Sequence, residues 1–147
     1  MELAVEIIRE PAPQSVIDAS AARVIVERLI LAKRRWRATA SDGQDFGFDL
    51  ATPFVHGTGF VGAEGRHYVI EQKPEPVLEI ALIPRAAPVA RLGWALGNLH
   101  FPIEVTDEVI RVPDDPALRQ FLEREKIPFV AVDRVFQPFA RAHSHAG

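Results

Sequence analysis

The five histidines are the residues of this chain best suited to bind a transition metal, because the 147-residue sequence contains no cysteine. Without thiolates, a metal site would be built from imidazole nitrogens and carboxylate oxygens. His100 follows the apolar, glycine-containing run Arg91–Leu99 and directly precedes Phe101 and Pro102. Glycine at 97 and proline at 102 both favour a helix end, so we expect a helix to end at Gly97 or at Leu99. That end would favour a cation near His100 by about 0.3–1 kcal/mol, which is too little to create a site alone.

Two further imidazoles lie at the C-terminus. His143 and His145 flank Ser144 in a tail, residues 137–147, that has no apolar period and that we expect to be mobile. Such a tail is either a solvated end or a segment that folds back or reaches a neighbouring subunit. We predict that His100, His143 and His145 are the metal ligands.

The glycines of the same helix bear on how many imidazoles could meet. Gly93 and Gly97 lie one helical turn apart. They either let the same helix of a second subunit approach across a two-fold axis or reduce bulk against a sheet. A two-fold axis near this helix would bring together two copies of His100, one from each subunit. Two His100 rings and the tail imidazoles would give about four nitrogen donors, which suit nickel(II), copper(II) or zinc.

Composition argues against several other functions. The chain has 17 basic and 20 acidic residues and a net charge of -3, so its overall field would not attract nucleic acid or an anionic membrane. We find no phosphate-binding loop, serine nucleophile elbow or His-Glu-x-x-His motif, so we do not expect an enzyme. With no apolar run of membrane-spanning length, we expect a cytoplasmic protein.

Other charged and imidazole residues have simpler interpretations. Arg35 and Arg37 would share the solvent face of a strand, where they protect a sheet edge or, as the less favoured alternative, dock an acidic partner. His56 and His67 lack spaced companions, and we interpret them as surface residues.

The elements that would position these residues fall into two groups. Residues 1–75 read as a β-rich domain of short strands, including residues 1–10 and 67–72. Residues 23–40 predict the first arm of a β-hairpin, with a turn at residues 41–43 and a second arm at 45–50. Residues 15–22 read as a loop or a short turn. Two prolines in residues 73–76 predict an interdomain linker.

Residues 76–136 follow the order strand, helix, strand, strand, helix, strand. We expect strands at 77–83, 103–105, 109–112 and 129–136, and a first helix with Leu92 and Leu96 on one face. Asp114 or Asp115 would cap the second helix, with Pro116 in its first turn. The predicted fold class is α+β: an all-β N-terminal domain, then a ferredoxin-like βαββαβ domain, then the tail at 137–147.

The motif around His100 resembles the central motif of a known family. The run Leu92–Val105, with Gly97-Asn98-Leu99-His100 at its centre, is similar to that of the urease accessory protein UreE family of nickel metallochaperones. Residues 37–50 resemble the family's N-terminal β domain, and residues 77–80 resemble the first strand of its ferredoxin-like domain. The similarity in order and length extends over nearly the whole chain.

This resemblance implies a homodimer that carries Ni(II) through paired His100 side chains, with His143 and His145 as further ligands. It implies delivery to a urease accessory GTPase and the urease apoprotein complex, and a partner- or peptide-binding role for the N-terminal domain. The chain has Asp114-Asp115-Pro116 where many members carry a histidine, and its tail has only two histidines. We therefore expect about one metal ion per dimer. Two alternatives stay open: a metal-independent interaction module, and a dimer that binds or buffers zinc through the same histidines.

Overall fold

The computed structural model describes residues 4–139 of a mixed α/β protein. The chain divides into two compact units, Met1–Lys73 and Pro74–Gly147. Strands dominate the first unit, whereas the second combines a four-stranded sheet with two longer helices. Glu75 and Pro76, which the sequence places in the linker, are strand residues instead.

The first unit contains two three-stranded sheets around an aromatic core. Its elements are β1 (Glu6–Ile8), a 3-10 turn (Gln14–Val16), β2 (Ala22–Val26), α1 (Arg28–Leu31), β3 (Arg35–Thr39), β4 (Asp45–Asp49), β5 (Gly59–Val61) and β6 (His67–Gln72). The sheets have the strand orders β1-β4-β3 and β2-β6-β5. Phe46 and Phe60 are fully buried, and Trp36 stacks on Phe48 with ring centroids 3.9 Å apart. This core buries the apolar face of each arm of the predicted hairpin.

The hairpin prediction is confirmed for half of its length. Strands β3 and β4 pair in antiparallel register from Arg35↔Asp49 to Thr39↔Asp45, and Gly43 in the turn has a φ of 92°. The prediction of one continuous strand over residues 23–40 is wrong. Strand β2 pairs in parallel with β6, and α1 separates it from β3. The β-branched residues of β2 favour a strand locally, but its partner lies far along the chain.

The second unit is built on a four-stranded antiparallel sheet. Its elements are β7 (Glu75–Ala81), α2 (Ala86–Asn98), β8 (Glu104–Val105), β9 (Val109–Pro113), α3 (Pro116–Arg124) and β10 (Val130–Arg134), and the strand order is β10-β7-β9-β8. Both helices contribute to the core that covers one sheet face. This core contains Leu78, Ile80, Leu96, Ile110, Val112, Leu118 and Leu122.

The start of α3 follows the prediction closely. The side chain of Asp115 accepts a hydrogen bond from the backbone N–H of Ala117 at 2.8 Å, and Pro116 is the first helical residue. Asp114, the alternative cap, instead binds Arg119. The strand predicted at 129–136 is shorter: it begins at Val130 and ends at Arg134. The residues after Arg134 are therefore outside the sheet and extend to the region of His100.

Candidate functional site

His100 stands at the C-terminal end of α2. The helix extends to Asn98, Leu99 keeps helical backbone angles, and the amides of Leu99 and His100 donate to the carbonyl oxygens of Leu96 and Gly97 at 3.1 and 3.2 Å. His100 then adopts a left-handed conformation with a φ of 63°. The alternative in which the helix ends at Gly97 is therefore wrong.

A left-handed histidine is an unusual way to end a helix. Glycine or asparagine normally takes this place, and a side chain there costs about 1–2 kcal/mol. Strain of this kind is a reason to ask whether a residue has a function. Lys126 has the same conformation after α3, with a φ of 56°, so the backbone angle alone does not mark a functional site. The surroundings of His100 supply the further evidence.

A cavity of about 520 Å³ adjoins the exposed His100. Its lining is largely apolar and comes from two segments of the chain: Gly97, His100, Phe101, Pro102, Ile103, Pro138 and Phe139. The backbone N–H of Phe139 donates to the carbonyl oxygen of Ile103 at 3.0 Å. Residues 137–139, the start of the predicted tail, therefore lie beside His100, which no local pattern in the sequence indicates.

The surroundings of Gly93 and Gly97 decide whether these glycines reduce bulk against the sheet. Gly93 and Gly97 are exposed, and a Cβ atom added to either would have no other atom within 4 Å. They do not reduce bulk against the sheet, so that interpretation is wrong. Beside them Trp94 is 73% exposed, whereas Leu96 on the other side of the helix is buried. The approach of a second subunit stays a prediction.

The predicted tail ligands His143 and His145 lie outside the described residues. Within residues 4–139, no three histidine, aspartate or glutamate side chains are grouped in a way that could hold a metal ion. Of the three predicted ligands, the structure therefore describes only His100.

The other two histidines have partners in the first unit. Nδ1 of His56 accepts a hydrogen bond from the backbone N–H of Gln72 at 3.0 Å, and Nδ1 of His67 accepts one from Asp18 at 2.8 Å. His56 is exposed, as predicted, whereas His67 is half-buried. Each ring uses one nitrogen to satisfy a loop or strand amide, which gives both residues a structural role.

Asp114 and Arg35, two of the charged residues considered in the sequence, also have structural partners. Asp114 accepts two hydrogen bonds from Arg119, at 2.6 and 2.9 Å, and these hold the pKa of its carboxyl below the ordinary value. Arg35 and Arg37 are exposed on β3, an outer strand of its sheet, and Arg35 binds Asp49 at 3.1 Å. This location agrees with the protected-edge interpretation.

These features define a mixed α/β protein that presents a left-handed, exposed histidine beside the start of its C-terminal tail. No helix in the described part of the chain has the length and apolar character needed to cross a membrane. The family described as "UreE urease accessory protein, C-terminal domain" matches residues 75–147. The chain belongs to the UreE family.

Curated relatives support the same assignment. The urease accessory protein UreE of Beijerinckia indica subsp. indica is 31% identical over 78% of this chain and 67% of its own length. The UreE of Ralstonia nicotianae is 29% identical over 90% of this chain and 65% of its own. The UreE of Paracoccus denitrificans is 31% identical over 87% of this chain and 79% of its own length. The chain thus spans about two thirds of the length of the first two relatives.

Proposed function

We propose that this protein is a metallochaperone that binds Ni(II) as cargo and delivers it during assembly of the urease active site. Family membership supports the link to urease maturation, because the relatives are named as urease accessory proteins. In this proposal the chain is a cytoplasmic accessory protein and not an enzyme. The nickel assignment rests on the imidazole chemistry of His100 and on the resemblance of the motif that contains it.

The observation that carries the proposal is the return of the chain to His100. Phe139 lines the same cavity as His100 and is bonded to Ile103. His143 follows Phe139 by four residues, and four residues of chain span at most about 14 Å. This reach would bring the imidazoles of His143 and His145 to His100 of the same subunit or of a partner.

The exposed face of α2 supports a homodimer in which the metal binds between subunits. Gly93 and Gly97 leave room for a second backbone, and Trp94 offers a large apolar side chain beside them. A two-fold axis near the end of α2 would bring two His100 rings together. With one tail imidazole from each subunit, the set would contain about four nitrogen donors, which suits Ni(II).

The remaining assignments follow the family. The strand order β10-β7-β9-β8, with α2 and α3 on one face, supports a ferredoxin-like arrangement for the second unit. We propose a urease accessory GTPase and the urease apoprotein complex as partners, and a partner- or peptide-binding role for the first unit. The matching region in the second unit would carry the metal.

Titration of Ni(II) into the full chain tests the proposal. His100→Ala should weaken binding by at least about tenfold, since loss of a ligand costs more than loss of an outer partner. His56→Ala, which removes an exposed histidine of the first unit, should bind like the parent protein. Equal affinity of His100→Ala and the parent would refute the site. Deletion of residues 143–147 should weaken binding without changing dimerisation.

The same experiments separate the alternatives. Competition between zinc and nickel tests zinc buffering, because imidazole ligands do not exclude zinc by affinity alone. If the partner complex forms equally well without nickel and with His100→Ala, the protein is a metal-independent interaction module.

A further inference from the structure

A row of four charged side chains crosses the sheet of the second unit, with one residue from each strand. Arg111 of β9 binds Glu104 of β8 at 3.3 Å and Glu79 of β7 at 2.6 Å, and Arg134 of β10 binds Glu79 at 3.1 Å. We call this row the charge ladder. The side chains of Glu104, Glu79 and Arg111 are only 12%, 14% and 20% exposed. Their pairing is therefore screened less by solvent than that of most surface ions.

The charge ladder lies on the sheet face that the helices leave uncovered. Arg111 stands between Ile110 and Val112, which are both in the core beneath α2 and α3. Side chains alternate between the two faces of a strand, so Arg111 points away from the helices. Glu104 is paired with Arg111 in the register of β8 and β9 and shares that face.

The chain crosses from one edge of this sheet to the other directly after β10. Strands β10 and β8 are the two outer strands, and three strand spacings separate them by about 14 Å. Residues 135–139 form a strap that covers this distance, since five residues of extended chain reach about 17 Å. The backbone N–H of Gln137 donates to Oε1 of Glu104 at 3.2 Å, and that of Phe139 donates to Ile103. Phe136, within the strap, is fully buried.

We propose that Glu104 is a positioning residue for the metal site, because it anchors the strap and so fixes the point beside His100 from which the chain continues towards His143. Oε2 of Glu104 is held by Arg111, which leaves Oε1 to accept the amide of Gln137. This inference rests on the proposed function and adds to it a residue that need not touch the metal.

The expected effect follows from the length of the tether. His143 lies four residues beyond Phe139 but nine beyond Arg134, the last residue of β10. The local concentration of a tethered ligand falls as about the -3/2 power of tether length, so full release of the strap predicts about threefold weaker nickel binding for each tail that ligates.

The test compares nickel affinity and amide hydrogen exchange in full-length variants. Glu104→Ala and Gln137→Pro each remove the anchoring bond, one by deleting the acceptor and the other by deleting the donor. Each should raise the nickel Kd by up to about threefold for each ligating tail, or up to about tenfold for a dimer in which both tails ligate. Glu104→Gln keeps one of the two acceptor oxygens but not the charge that pairs with Arg111, so its nickel Kd should lie between those of the parent protein and of Glu104→Ala. Glu108→Ala, an exposed glutamate of the same hairpin, is the matched control. In a chain that ends at Phe139, Glu104→Ala should have no effect on nickel affinity.

Exchange of the Phe139 amide supplies a readout that needs no metal. It should become faster in Glu104→Ala and Gln137→Pro than in Glu104→Gln or Glu108→Ala. Suppose that His100→Ala weakens nickel binding, but that Glu104→Ala and Gln137→Pro bind nickel as tightly as the parent protein. This result would refute the positioning role of Glu104 and leave the proposed metal site standing. So would a loss of affinity that persists without the tail. If His100→Ala binds nickel as tightly as the parent protein, the proposed site itself is refuted, and with it any positioning role for Glu104.

Discussion

Replacement of Gly93 by alanine should stabilise the isolated subunit against unfolding and weaken the association of two subunits. Glycine inside a helix costs about 0.8–1 kcal/mol relative to alanine. A Cβ atom at position 93 would meet nothing within 4 Å in the single chain. Gly93→Ala should therefore raise the free energy of unfolding of the second unit by about 1 kcal/mol at concentrations at which the chain is monomeric.

The dimer should respond in the opposite direction. If the same helix of a second subunit packs closely on Gly93, two added methyl groups overfill the contact and cost about 1–3 kcal/mol. Dimer dissociation should then become at least about fivefold more favourable, as measured by sedimentation equilibrium. Arg91→Ala is the control, because Arg91 is exposed and lies about 200° around the helix from Gly93.

Two results would refute this reasoning. A more stable chain with an unchanged dimer constant would mean that the glycine face of α2 is not the subunit contact. A less stable chain at low concentration would mean that position 93 is not open in the isolated subunit. Urea unfolding and sedimentation on the same preparations distinguish these outcomes.

Further predictions concern the charge ladder and the cap of α3. Arg111→Ala should destabilise the fold by about 3 kcal/mol in urea unfolding because it leaves two carboxylates facing each other, whereas Arg134→Ala, at a half-exposed end, should cost less than about 1 kcal/mol. Hydrogen bonding from Arg111 lowers the pKa of Glu79 below its ordinary value of 4.5, so this stabilisation is complete above pH 4.5 and is lost as the pH falls through the lower, folded-state pKa. Glu79→Gln should accordingly remove that part of the acid sensitivity, and equal acid sensitivity would contradict the assignment. Asp115→Ala should cost about 1 kcal/mol in thermal unfolding because it removes the cap, and an unchanged Tm would contradict that role.

Local signals in the sequence predicted the parts of the fold that depend on neighbouring residues. Asp42 and Gly43 form the turn between β3 and β4, and Asp115 with Pro116 begins α3. In each case a short-range preference of the backbone agrees with the final structure. The mixed α/β class followed from the same patterns.

Contacts between distant residues were not predictable in this way. The predicted first arm at residues 23–40 includes most of β2 and all of α1, and the strand that pairs with β2 is β6, more than 40 residues away along the chain. The left-handed angle of His100 also escaped prediction, because Gly97 is the residue that backbone preference favours for a helix end. Glu104 gave no signal by itself, since its role depends on the register with Arg111 and on the return of residues 135–139.

Nickel stoichiometry in the intact dimer tests the central claim most directly. Native mass spectrometry of the full chain should find about one nickel ion bound per two subunits. The His100→Ala variant should remain dimeric and lose this ion, whereas His56→Ala should keep it. A His100→Ala dimer that retains nickel at the parent stoichiometry would contradict the claim that paired His100 side chains carry the metal.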